Sequence, residues 1–202
     1  MVAGIHGRWT DGALSIKATI AYDGARAVTR RAVPGDSASG EYDLHAWTAD
    51  ASLGYAMPLG DSWTMNPNLG VTAIRVTRAG VSETSNSAFA LDVARDRHRA
   101  VFVDGALTFA GGVREDAAVR PHLSVGVRYR VDGEAPHALA ALDGGEFGLG
   151  AVGVTRSALT ATADLGADVA LSQSLVIFGA VSGEVGELNQ HASARAGLRL
   201  AF

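Results

Sequence analysis

Polar and apolar residues alternate along most of the chain with a period of two. In 157–172, SALTATADLGADVALS, the odd positions carry Leu159, Ala161, Ala163, Leu165, Ala167, Val169 and Leu171, and the even ones include Thr160, Thr162, Asp164 and Asp168. In 120–132, Leu123, Val125, Val127, Tyr129 and Val131 oppose Arg120, His122, Ser124, Arg128 and Arg130. The stretches 14–23 and 46–57 repeat the pattern, as do the last twelve residues, HASARAGLRLAF, with Ala192, Ala194, Ala196, Leu198, Leu200 and Phe202 on one side and Arg195 and Arg199 on the other. Such alternation puts each set on one face of a β-strand, whereas the 3.6-residue stripe of an amphipathic helix is missing. Nine strands are predicted, at about 2–9, 13–29, 42–58, 63–80, 97–110, 119–132, 157–172, 174–186 and 190–202. The phase slips near Ile74 and Val76, which predicts a bulge there.

The connections fall into two classes. TDG (10–12), LGDS (59–62), VREDA (113–117) and the step near Ser172–Gln173 are short and occur at every second junction. The intervening ones, 30–41, 83–96 and 133–156, are longer, and only the last, at 187–189, is brief. Short turns on one rim and longer loops on the other are the signature of an antiparallel up-and-down transmembrane β-barrel of the outer-membrane type.

A soluble barrel with an apolar interior shows the same alternation, so the choice rests on other features. The predicted strands are longer than the usual five or six residues and suit a tilted span of about 9–11. The apolar face is rich in Ala and Leu, which suits fluid lipid. The polar face carries both signs, including Lys17, Asp23, Asp50, Asp104, Arg128, Arg130, Asp164, Asp168, Glu184, Arg195 and Arg199, which suits a wet lumen. Trp47, Tyr55, Trp63, Phe109 and Tyr129 are candidates for interfacial girdles. No run of 18 apolar residues offers a transmembrane helix. The absence of cysteine removes thiolate metal sites and disulfides. A net charge of −4 argues against nucleic acid as a partner. The start, MVAGIHGRWTDG, lacks the basic and apolar regions of a signal peptide, so either the protein is cytosolic or its true N-terminus lies upstream of Met1.

Candidate chemistry is sparse. The triplet Gly-Asp-Ser occurs at 35–37 and 60–62, in turn-like contexts where those residues serve the backbone, without a positioned base or oxyanion hole. The six histidines, His6, His45, His98, His122, His137 and His191, are scattered singly with no HExxH or close pair, so no metal site is predicted. The run GGEFGLG at 144–150 lacks the Lys and following helix of a phosphate loop and reads as an outer loop. Arg30-Arg31 and the arginines of 95–99 read as solvated loop edges, with anionic lipid as the other reading. No catalytic residue and no cofactor site is predicted. The lumen-facing set is Arg128, Arg130, Asp164, Asp168, Arg195 and Arg199. Within it, Arg195 and Arg199 are expected to pair with Asp164 and Asp168 two strands away.

Four stretches resemble the C-terminal translocator domain of monomeric autotransporters (type V secretion): GYAMPLGDSWTMNPNLGVT, AFALDVARDRHRAVFVDGALTF, VRPHLSVGVRYR and LVIFGAVSGEVGELNQHASARAGLRLAF. The similarity spans about 42–202, and the order and spacing of the set carry it. The resemblance implies a twelve-stranded barrel in the outer membrane that exports and anchors a covalently linked N-terminal passenger and catalyses no reaction. It also implies that Leu198, Leu200 and Phe202 form the terminal signal read by the β-barrel assembly machinery. Its partners would be outer-membrane lipid, that machinery and the passenger. Nine strands instead of twelve imply that residues 1–202 are a partial barrel domain, lacking the first strands, the pore helix and the passenger. A porin-like or adhesin barrel, a soluble all-β binding protein and a barrel enzyme are the competing readings.

Overall fold

The computed structural model describes residues 1–113, 117–133, 135–142, 144–172 and 174–200. Among these, every regular element is a strand: β1 (Val2–Asp11), β2 (Leu14–Val33), β3 (Asp36–Tyr55), β4 (Met57–Leu59), β5 (Trp63–Arg78), β6 (Val81–Ser82), β7 (Leu91–Val93), β8 (Asp96–Gly111), β9 (Val119–Gly133), β10 (His137–Leu142), β11 (Leu149–Val152), β12 (Leu159–Ala170), β13 (Leu175–Gly186) and β14 (Gln190–Leu200). The main sheet is an antiparallel meander in the order β1-β2-β3-β5-β8-β9-β12-β13-β14, with β4 continuing β3 along β5. These nine long strands correspond to the nine read from the alternation. Their direction reverses at each step. The β1–β2 turn at 12–13, the turn at 60–62 and the β8–β9 and β12–β13 connections therefore lie on one rim, and the excursions from β5 to β8 and from β9 to β12 on the other.

The sheet is curled, and it is inside out by the standard of a soluble protein. The apolar face is the exposed one: Leu165 is 55% exposed and Val127 52%, whereas the side chain of Asp164, on the opposite face, is 24% exposed. Among the described residues the buried hydrophobics are Val33, Ala38, Ala90, Ala141 and Ala180, and no large side chain is fully buried. A sheet that turns its leucines outward and its carboxylates inward has no conventional core, so its apolar surface must be covered by something other than itself.

Two expectations are corrected. Residues 30–41 are not a long loop. β2 and β3 pair without interruption from Leu14↔Tyr55 to Val33↔Asp36, closing on a two-residue turn. Pro34 fixes its own φ, and Gly35 supplies the φ of +78° that follows, the residue order of a type II turn. At the far end of this hairpin one face is covered, with Val33 and Ala38 buried, while Arg30, Ala32 and Ser37 are exposed; the covered face carries Arg31, Ala38 and Gly40 in place of large apolar residues, so the period-two signal fades although the strands continue. The bulge expected at Ile74 and Val76 is absent, since β5 keeps one register with both neighbours through that point. Instead, the faces exchange character there. Ile74 lies between Thr48 and Ala100, and Val76 between Ala46 and His98, so apolar side chains enter the polar face near the rim. The actual irregularity lies between β8 and β9, where Val101 pairs Asp132 but Phe102 pairs Arg130, leaving Val131 as the extra residue.

The excursions are also not structureless. β6, β7, β10 and β11 form a second sheet in the order β11-β10-β7-β6 over the rim. It is joined to the β2–β3 hairpin by paired backbone hydrogen bonds between Ser39 and Thr84, at 3.1 and 2.8 Å.

Candidate functional site

The polar face is the candidate site. Alternation places its side chains in rows along the strands, and the register aligns the rows across them. Ser124 on β9 pairs Asp164 on β12, which in turn pairs Ser182 on β13 and through it Ser193 on β14. Along this band Asp164 accepts from His122 Nε2 at 2.9 Å and from Arg195 at 3.3 Å, Thr108 and Ser124 bond at 3.1 Å, and Ser182 and Ser193 at 2.7 Å. Arg199 reaches Asp168 at 3.3 Å, and its guanidinium lies 5.5 Å above the Phe178 ring. Further round the sheet, Arg128 faces Asp104 at 3.6 Å and stands over Phe102, and Asp50 accepts from Thr72 at 2.9 Å. Arg130 donates to the Arg156 carbonyl at 3.1 Å, nearer the rim.

Glycines make room for these side chains. A Cβ on Gly197 would stand 2.5 Å from Phe178, one on Gly166 2.5 Å from His122, and one on Gly70 2.3 Å from Asp104. In each case the neighbouring side chain lies across the glycine and along the wall, which keeps the middle of the concave face open.

On the opposite face the aromatics fall at two levels. Trp9, Tyr55 and Trp63 sit at strand ends near the short-turn rim, whereas Trp47 and Tyr129 lie towards the other, all of them between 44% and 53% exposed. Tyr55 is eight residues beyond Trp47 on β3, about 26 Å along a strand at about 3.3 Å per residue.

The rim beneath the second sheet holds the tightest ion pair. Arg31 grips Glu83 with Nε at 2.9 and 3.0 Å and Nη2 at 2.6 Å, and also donates to the Phe89 carbonyl. Arg31's hydrogen bonds hold the Glu83 carboxyl below the usual range, and Glu83 in turn raises the guanidinium. Asp36 is also depressed, chiefly by the backbone N–H of Asn86, then by that of Ser37 and the Ser85 hydroxyl. Gly35-Asp36-Ser37 thus serves the backbone of a neighbouring loop, and Arg31 is a structural fork and not a solvated edge. Among the described residues no serine hydroxyl bonds to an imidazole.

Both partners of each sequence-predicted charge pair are therefore within reach of each other. Leu198 and Leu200 lie on β14, each 66% exposed, whereas Phe202 lies outside the described residues. Sequence reasoning missed two groupings. One is the Arg31–Glu83 fork, whose partners are 52 residues apart. The other is Asp96, His98 and His137, whose potential ligand atoms lie within 4.8 Å of one another. Asp96 and His98, two apart on one strand, were a legible half of it; the third member comes from another sheet.

The chain matches the family described as Autotransporter beta-domain over residues 1–182. Among solved structures, the translocator domain of autotransporter NalP from Neisseria meningitidis superposes with a TM-score of 0.72 at 16% identity, covering 100% of this chain and 65% of that one. The chain thus spans less than two thirds of that domain's length. No curated protein matches.

Proposed function

Because the chain belongs to the autotransporter β-domain family, a family of outer-membrane transport domains, we propose that its curled sheet is wall of a translocator that carries a covalently linked passenger to the cell surface and anchors it there. The observation that carries this reading is the inversion of the sheet. Leu123, Val127, Leu165 and Val181 face outward, where acyl chains cover them. Arg128, Arg130, Asp164, Asp168, Arg195 and Arg199 face the lumen and line a hydrated passage. An open sheet edge cannot stand in lipid, so the β1 and β14 edges must find partners in the membrane.

In this reading Leu198, Leu200 and Phe202 present the terminal strand to the β-barrel assembly machinery. The wall binds and guides but performs no chemistry, and its polar groups hold one another in place. The second sheet and the hairpin tip stand on the outer side, and the short turns face the periplasm.

The test uses the absence of native cysteine. Val181→Cys and Ser182→Cys are introduced singly into the full protein in outer membranes. A water-soluble maleimide should label position 182 and spare 181, and a lipid-soluble quencher should show the reverse. Equal aqueous labelling of both positions would overturn the lipid-facing assignment.

A further inference from the structure

Asp96 opens β8 at the rim, His98 follows two residues on along the same face, and His137 opens β10 in the second sheet. His98 Nε2 touches the Asp96 carboxylate at Oδ2, and His137 Nε2 lies 3.9 Å from Oδ1. The two imidazoles meet edge to face with centroids 5.4 Å apart. The Asp96 side chain is only 12% exposed. Its Oδ1 accepts the Arg97 backbone N–H at 2.7 Å, whereas Oδ2 is buried and, despite its contact with His98, makes no hydrogen bond. A buried carboxylate oxygen without a hydrogen bond is unfavourable unless a proton or cation meets it.

From this geometry we infer that Asp96, His98 and His137 bind a divalent cation of borderline softness, of the zinc class. Two neutral imidazoles and one carboxylate are the donor set such ions take, with the fourth position left to water. Tetrahedral coordination with bonds near 2.0–2.2 Å sets donors about 3.3–3.6 Å apart. The ligand atoms here already lie within 4.8 Å, so small rotations of three side chains bring them to that spacing. The carboxylate is steadied from behind by the Arg97 N–H, the outer-shell support that metal-bound carboxylates use.

Of the nearby cations, Arg78 and Arg99 have other partners. Arg78 pairs with Asp96 across β5 and β8, but its guanidinium donates to the Ala94 carbonyl at 2.8 Å and stacks on Tyr42. Arg97 and Arg99 alternate with His98 along β8, and Arg99 is held by Asp132 at 3.1 Å. With two ligands on the wall and one on the second sheet, the ion fastens that sheet to the rim. This fastening role does not depend on what the wall transports.

The test uses the full protein extracted in detergent and stripped with a chelator. Titrated with zinc chloride against a chromophoric indicator, it should take up one equivalent that His137→Ala and Asp96→Asn each weaken by about 100-fold or more, beyond the roughly 10–100-fold that loss of an outer-shell partner brings. Cobalt(II) should give visible ligand-field bands in the wild type that vanish in His137→Ala. Heat-modifiable mobility on a gel checks that each variant is folded. In the unaltered protein, zinc should slow proteolysis within 134–158, and chelator should restore it. Failure of the wild type to bind zinc, or equal binding by His137→Ala, overturns the inference. Zinc binding with no change in proteolysis overturns the fastening role.

Discussion

Leu165 sits near the middle of β12, between Leu123 on β9 and Val181 on β13, and faces outward with them. It lies six residues from Leu159 and five from Ala170, roughly 20 and 17 Å along the strand at about 3.3 Å per residue. A strand tilt of about 40° reduces these to about 15 and 13 Å along the membrane normal, so Leu165 falls close to the midplane of an apolar band about 25 Å tall. Leu165→Arg should therefore destabilise the domain by about 2–4 kcal/mol, the penalty for an arginine on the lipid face at that depth. Ser182→Arg, beside it on the lumen side, should cost no more than about 0.5–1.5 kcal/mol, the worth of the hydrogen bond to Ser193 that it removes. Denaturant unfolding of the full domain in lipid vesicles measures both. A Leu165→Arg variant within about 0.5 kcal/mol of the wild type would refute the lipid-facing assignment. So would a penalty at position 182 as large as that at 165.

Three further outcomes are expected. Glu83 and Asp36 have folded pKa values below their unfolded ones, so their contribution is fully present above the ordinary carboxylate range and is lost as pH falls through the lowered values. The protection of the Leu91 amide, which donates to Glu83 at 2.9 Å, against hydrogen exchange relative to the intrinsic rate at each pH should fall as acid protonates Glu83, and Glu83→Gln should lower that protection already at neutral pH. Gly197→Val should displace the Phe178 ring, undo its stacking with Arg199 and destabilise the wall by about 1–3 kcal/mol, read as a lower unfolding midpoint in detergent. Deleting Phe202 should reduce the amount of protein assembled in the outer membrane while leaving spontaneous refolding in detergent unchanged. An equal loss in both would show that the residue serves stability and not recognition.

The wall was legible because a strand with lipid on one side and water on the other must alternate, and alternation is the simplest pattern a sequence can show. Leu165 beside Asp164, and Val127 beside Arg128, reveal the strand and its two faces at once. The spacing of Arg195 and Arg199 against Asp164 and Asp168 was readable for the same reason, since a meander fixes which strands are two apart. Where the polarity of a face does not follow its surroundings the signal vanishes. In the hairpin extension through Arg30–Glu41 the covered face carries Arg31, Ala38 and Gly40 in place of large apolar residues, and Ile74 and Val76 stand beside Thr48 and His98 on the inner side while Arg75 and Arg99 pair on the outer one. β6, β7, β10 and β11 are only two to six residues long, too short for a period to register. Asp96, His98 and His137 depend on one of these short strands for their third member, so the grouping appears only in three dimensions.

The second sheet borrows its strands from two separate excursions, one between β5 and β8 and the other between β9 and β12. β10 must meet β7 across more than forty residues of chain, most of them wall. Closing so long a loop is unfavourable until β8 and β9 are already side by side. The sheet over the rim is then the last part to form and reports that four neighbouring wall strands have found their register. A chain with β9 mispaired would leave β7 and β10 apart and the second sheet unformed. The cap thereby depends on the wall beneath it, since its two halves come together only where β5, β8, β9 and β12 lie in register.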